Sequence, residues 1–203
     1  MKYSKQLLIT SLIVSSYTSY GQVNNVLFDI KNHDDYKMNT PQKNQSINLG
    51  NQNPNNWRIT NDGVMGGSSK GYINIKKDHG LFTGNISLDN NGGFSALFTK
   101  IDLLHKNTEK VTVDIKGDGQ TYQLRMIVYI NGYRLSYNKP IETVKDIRHT
   151  ITFPLSDFKA TYRGRSVPDA PKLTPMQIRE VGFLITKKRV GPFSIGIYSI
   201  SFD

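Results

Sequence analysis

Short runs in which apolar and polar residues alternate one by one, broken by glycine steps, recur from Trp57 onward and leave little choice of fold. Such alternation places one set of side chains on each face of an extended strand, whereas an amphipathic helix needs apolar residues every three or four positions. Val111, Val113 and Ile115 alternate with Thr112, Asp114 and Lys116, and Leu124, Met126, Val128 and Ile130 alternate with Gln123, Arg125 and Tyr129. Gly117-Asp118-Gly119 stands between the two runs. Asp-Gly tolerates the positive φ of tight turns, so the two runs are predicted to form a hairpin. Further strands are predicted at residues 25–30, 69–75, 81–88, 93–100, 133–137, 149–153, 180–186 and 193–202. In the last of these the apolar phase moves from Phe193, Ile195 and Ile197 to Tyr198, Ile200 and Phe202, which predicts a β-bulge near Ile197. The one helical segment expected is 174–178, where Thr174 can cap and Pro175 suits the first helical position. Many short strands without βαβ alternation predict an all-β chain of two antiparallel sheets packed face to face, a sandwich or jelly roll.

The start of the chain has a different character. Met1-Lys2-Tyr3-Ser4-Lys5 precedes an apolar stretch from Leu7 to Val14 and a polar run ending at Gly21, the three-part layout of a secretory signal peptide. Ser19 and Gly21 are the small residues that signal peptidase requires, so cleavage is expected between Gly21 and Gln22, with export to the periplasm or the extracellular space. The apolar segment is far shorter than the roughly 20 residues of a membrane-crossing helix, and no transmembrane helix is expected in the mature chain. Residues 22–203 are then expected to be a single β-sandwich domain, with a long polar loop at about 31–56 rich in Asn, Gln, Lys and Asp.

Composition removes several chemistries. The chain has no cysteine, which excludes a thiol nucleophile, a thiolate metal site, a disulfide and a lipid-anchored cysteine together. His33, His79, His105 and His149 are scattered, without the spacing of a helix-borne metal pair. Gly67-Ser68-Ser69-Lys70-Gly71 departs from the nucleophile-elbow pattern, and neither a dinucleotide fingerprint nor a phosphate-binding loop is present. No cofactor, metal or catalytic residue is expected. A paired-carboxylate, glycan-processing enzyme remains as a lesser alternative, since spatial pairing of acids does not show in a sequence. The net charge of +10, or +8 once Lys2 and Lys5 leave with the leader, makes the domain basic. Its densest cluster, Lys187-Lys188-Arg189, is too short to predict nucleic-acid binding.

Two constellations are left. The first is the loop from Trp57 to Ser68, in which Gly63, Gly66 and Gly67 are expected to shape a tight turn pinned by Trp57, with Asp62 accepting backbone N–H groups. The second is a candidate binding face. Because Leu124, Met126 and Val128 take the core side of their strand, Arg125 and Tyr129 point away from it, where Tyr122, Arg134, Tyr162, Arg163 and Arg165 are expected to join them.

Several of these motifs together, namely Trp57 to Ser68, Gly92-Gly93-Phe94, Gly117-Asp118-Gly119 with Tyr122 and Arg125, Phe158 to Arg165, and Gly191-Pro192-Phe193, resemble the complex I intermediate-associated protein 30 family over roughly residues 26–203. The resemblance implies a galactose-binding-like jelly roll, similar in shape to carbohydrate-binding modules, and a chaperone-like role in assembling respiratory NADH:ubiquinone oxidoreductase. The expected function is a non-enzymatic binding or assembly module of the cell envelope acting on a protein partner. The alternative is a carbohydrate-binding module using its aromatic rings on a glycan.

Overall fold

The computed structural model describes residues 44–186 and 190–203. The leader, the strand expected at 25–30 and the Lys187-Lys188-Arg189 cluster lie outside them. In chain order the strands are β1 (Gln45–Asn48), β2 (Trp57–Asn61), β3 (Lys70–Ile75), β4 (Gly80–Ile86), β5 (Phe94–Lys100), β6 (Lys110–Lys116) and β7 (Thr121–Ile130). They continue as β8 (Tyr133–Glu142), β9 (Arg148–Pro154), β10 (Lys159–Tyr162), β11 (Arg165–Ser166), β12 (Ile178–Thr186) and β13 (Gly191–Phe202). The helix expected at 174–178 is a single 3-10 turn, Pro175–Gln177. The stretch expected to be a loop to residue 56 instead contains β1 and a 3-10 turn at Pro54–Asn56. Its polar composition hides β1 because only Ile47 packs on the core.

All pairings are antiparallel and form two sheets. The first runs β3-β4-β13-β6-β9, with β1 on the remaining length of the β13 edge. The second is seven-stranded, β11-β10-β8-β7-β12-β5-β2. Between them lies the core, to which Val111, Val113 and Ile115 of β6 and Ile195, Ile197 and Ile200 of β13 contribute from one sheet. Leu97 of β5, Leu124, Met126 and Val128 of β7 and Val181, Phe183 and Ile185 of β12 face them from the other. The phase change in β13 is a register irregularity between Ile197 and Ser199, where Tyr198 is the extra residue, in agreement with the expected bulge.

The expected hairpin of β6 with β7 does not form. β6 pairs with β13 and β9 in the first sheet, and β7 pairs with β8 and β12 in the second. Alternation reports which side of a strand is apolar and carries no information about its neighbour. Gly117-Asp118-Gly119 therefore carries the chain from one sheet to the other. Gly119 supplies a φ of +86°, and Gly117 leaves no room for a side chain, since a Cβ there would lie 2.3 Å from Thr143. The Asp118 carboxylate fastens the crossing by accepting the N–H groups of Gln120 (3.1 Å) and of Ser194 in β13 (2.7 Å).

Candidate functional site

The loop between β2 and β3 is built around a buried carboxylate. Asp62 is fully buried and accepts the N–H groups of Gly93 (2.6 Å), Ser69 (2.9 Å) and Phe94 (3.2 Å) and the Ser69 hydroxyl (2.5 Å). Burial alone would raise its pKa, but these hydrogen bonds, that of Gly93 foremost, outweigh it and hold the carboxyl below its ordinary range. Gly67 and Gly92 let the backbone close on the acid, because a Cβ would meet the Asp62 side chain at 2.4 Å and 2.6 Å respectively. Gly66 adopts a φ of +88° as the turn ends, whereas Gly63 has open space around its Cβ position and no positive φ. Trp57 is buried in β2 and packs into the main core, so it belongs to the sheet that the loop leaves. The loop is organised by Asp62, and Gly63 contributes its carbonyl oxygen, which accepts the Gly66 N–H (3.1 Å) at the end of the 3-10 turn.

The outer face of the seven-stranded sheet carries a second apolar layer. Ala96 and Phe98 of β5, Ile127 of β7 and Leu184 of β12 form a buried cluster, apart from the main core, with Phe94 against it. Arg58 of β2 and Arg134 of β8 both lay their guanidinium groups on Phe98, at 5.4 Å and 5.0 Å from the ring centroid. Between these arginines stands Glu180 of β12. Its carboxylate accepts from Arg58 Nη2 (2.8 Å), Arg134 Nη2 (3.0 Å) and the Tyr129 hydroxyl (3.0 Å). Burial pushes the Glu180 carboxyl up, but Arg134 first, then Tyr129 and Arg58, bring it below the ordinary glutamate range. Neither Arg58 nor Glu180 was expected from the sequence. A lone carboxylate in the apolar strand around Val181 and Phe183 was the available signal, since such a charge is seldom buried unpaired.

Arg125 lies on the same face, half-buried, and donates Nε–H (3.1 Å) and Nη2–H (2.7 Å) to the Gln123 side-chain oxygen. Among the described residues no carboxylate pairs with it. Burial, and then the charge of Arg134, push its pKa down to about 10. A cleft of about 410 Å³ is lined by Arg125, Arg134, Ser136, Tyr133, Tyr162 and Arg163 together with Gly132 and Gly164. Tyr133 and Tyr162 meet edge to face at 5.8 Å, and the Arg163 guanidinium lies 5.4 Å from the Tyr162 ring centroid.

Four of the expected face residues, Arg125, Arg134, Tyr162 and Arg163, thus meet in one cleft. Tyr129 lies beside it with its hydroxyl on Glu180. Arg165 pairs with Tyr162 across β10 and β11 but does not line the cleft. Tyr122 is misplaced in the expectation. It shares the parity of Leu124 and Met126, is fully buried in the core, and accepts the Ser194 N–H (3.1 Å) on its hydroxyl. Burial, then the nearby Asp118 carboxylate, push its phenol well up. Tyr133, exposed at the turn into β8, is the ring that the expectation missed.

A second cleft, of about 520 Å³, lies toward β2 and is lined in part by Gln45, Arg58, Lys100, Asp102 and Glu180. It brings two acids to one surface, but Glu180 is held ionised by its three partners and does not serve as a proton donor near neutral pH. Both clefts offer fixed donors, positive charge and aromatic faces.

Solved structures that share this fold include two carbohydrate-binding modules. The family 11 carbohydrate-binding module of the cellulosomal cellulase Lic26A-Cel5E of Clostridium thermocellum superposes with a TM-score of 0.61 at 16% identity, covering 80% of this chain and 95% of that one. A family 11 module from the same organism, in complex with a β-1,3-1,4-mixed-linked tetrasaccharide, gives a TM-score of 0.59 at 17% identity, covering 80% of this chain and 96% of that one. At these identities the likeness is one of fold, a galactose-binding-like jelly roll. In sequence, uncharacterized protein C9E9.15 of Schizosaccharomyces pombe is 28% identical over 159 residues, which are 65% of this chain and 71% of that protein. The family model for Complex I intermediate-associated protein 30 (CIA30) matches residues 47–197, a span that holds the buried Asp62, the sheet crossing at Asp118 and the arginine cleft alike, and the chain belongs to that family.

Proposed function

We propose that the protein is a non-enzymatic recognition module, exported by its leader to the cell envelope as a single β-sandwich, that captures a protein partner on the outer face of the seven-stranded sheet. The observation that carries this reading is Arg125, a half-buried cation without a carboxylate partner among the described residues, set in a cleft with two further arginines and two tyrosines. Arginine and tyrosine are the residues enriched where protein interfaces concentrate their binding energy. Family membership supports an assembly-type role, and the one carboxylate at the centre of the face is already saturated by hydrogen bonds.

A photo-crosslinking residue in place of Tyr133, in tagged protein expressed in its native cell envelope, tests the proposal. A reproducible protein adduct at position 133, absent when the crosslinker replaces the exposed Tyr72 of β3 in the other sheet, is the expected result. Equal adducts from both positions, or none from 133, reject it.

A glycan ligand is favoured by one separate observation: Tyr133 is more than half exposed, lines the arginine cleft and meets the Tyr162 ring edge to face. The likeness to carbohydrate-binding modules, one from a cellulosomal cellulase and one in complex with a mixed-linked tetrasaccharide, directs the choice of probes. Retention of the purified protein on mixed-linked β-glucan, lost in Tyr133→Ala, would establish this reading in place of the first.

A further inference from the structure

Two polar groups on the outer face of the seven-stranded sheet lack their usual partners among the described residues, and both belong to residues that line the same cleft. Ser136 of β8 is only 7% exposed, yet its hydroxyl has no hydrogen-bond partner. A buried hydroxyl is ordinarily satisfied, and an orphan one calls for an explanation. Arg125 spends Nε–H and one Nη2–H on Gln123, which leaves the Nη1 side of its guanidinium unshared. The β7–β8 register sets Ile127 opposite Ser136 and Arg125 opposite Asn138, so Ser136 and Arg125 are diagonal neighbours on one face. Such neighbours stand roughly 7–8 Å apart at the backbone, within reach of a long side chain. Arg134 and Arg163 line the same cleft, while Glu180, the nearby acid, is already engaged by Arg58, Arg134 and Tyr129.

We propose that the floor of this cleft is an oxyanion site, in which the unshared N–H groups of Arg125 and the hydroxyl of Ser136 donate to one anionic group and Arg134 and Arg163 supply further positive charge. Its biological use rests on the recognition role proposed above: the group bound is an oxyanion presented by the partner, carried as a carboxylate or as a sulfate or phosphate. Fixed guanidinium and hydroxyl donors match the geometry of such oxygens, and charge-assisted hydrogen bonds to them are the strong ones. An anion would also offset the burial, and after it the charge of Arg134, that together depress the Arg125 pKa to about 10.

The test uses the full mature chain, labelled with nitrogen-15, with the Arg125 Nε–Hε resonance followed as sodium acetate or sodium sulfate replaces sodium chloride at constant ionic strength. A saturable shift with at least one oxyanion is expected. Ser136→Ala should weaken that binding by roughly threefold or more, and Arg125→Gln, followed on the Arg134 Nε–Hε resonance of the same cleft, should abolish it, as the loss of charged hydrogen bonds implies. Tighter binding of acetate assigns the site to carboxylates, and tighter binding of sulfate assigns it to tetrahedral anions. No saturable shift with either anion overturns the proposal, as does unchanged affinity in Ser136→Ala. That second variant removes an unpaired hydroxyl and keeps the test open if Arg125→Gln fails to fold. Oxyanion binding without a protein adduct at position 133 leaves the site standing and rejects the protein-partner reading. An adduct without oxyanion binding does the reverse.

Discussion

Asp62 and Arg125 are both ionised residues taken partly or wholly out of water, and they answer to different tests. Asp62 is saturated by donors from two segments, Ser69 and Gly93-Phe94, so Asp62→Asn places an amide NH₂ against N–H groups and should cost about 2–4 kcal/mol, read as a fall in the urea midpoint. Because its folded pKa lies below the unfolded value, its contribution is complete above pH ~4 and is lost as pH falls through the folded pKa. Wild-type stability should therefore drop steeply in that acid window, and Asp62→Asn should flatten the slope. Glu180, lowered in the same direction, leaves a residual slope. The glycines around Asp62 separate cleanly: Gly67→Ala meets the carboxylate and should destabilise by about 1–3 kcal/mol, whereas Gly63→Ala has open space and should be nearly neutral in the same urea titration. Arg125→Ala has no acid to orphan and should leave the melting temperature nearly unchanged while reducing partner capture. A loss near the ~3–5 kcal/mol of a broken buried ion pair would show instead that Arg125 is a structural charge. The role of Asp62 was legible in the sequence because Asx–glycine chemistry is local. Tyr122 was misplaced although its parity with Leu124 already assigned it to the core.

At the scale of elements, strand positions could be read from alternation, as the near agreement for β3, β4, β5, β9 and β12 shows. Partnership could not. β6 and β7 are joined by a turn whose residues suit a hairpin and a crossing equally, and the choice is made by the Asp118 carboxylate on Ser194, a residue 76 positions away. The outer apolar layer was hidden for a related reason. β5 reads as a nearly continuous apolar run, the mark of a strand covered on both faces, but what covers it comes from β2, β7, β8 and β12. Gly182 is where that layer is tightest: a Cβ would lie 2.0 Å from the Leu97 carbonyl oxygen and 2.6 Å from the Phe98 ring. Gly182→Ala should therefore push β12 away from β5, lowering the melting temperature and weakening amide protection in both strands, by at least the ~1–3 kcal/mol of an overpacked core. An unchanged hydrogen-exchange pattern would mean that the sheet absorbs the methyl by a shift of Phe98 alone.

For the whole molecule, the sandwich draws its stability from apolar layers, and its arginine cleft, with Arg125 unpaired among the described residues, lies on one sheet. Recognition and folding should consequently respond differently to salt. Screening shortens from ~10 Å at 0.1 M to ~3 Å at 1 M, so crosslinking yield at position 133 should fall across that range while the melting temperature changes little. Equal retention at high salt would assign the contact to the tyrosines and the apolar layer. The order of strands along the chain has a further consequence. β13 lies inside the six-stranded sheet, bonded to β1 and β4 on one edge and β6 on the other, and it is the last strand of the sandwich. A nascent chain that still lacks these 12 residues has β4 and β6 with nothing between them, two open edges, and none of the core side chains Phe193, Ile195, Ile197, Ile200 and Phe202. Vectorial synthesis therefore cannot complete this sheet strand by strand; it must wait for one late insertion at the centre.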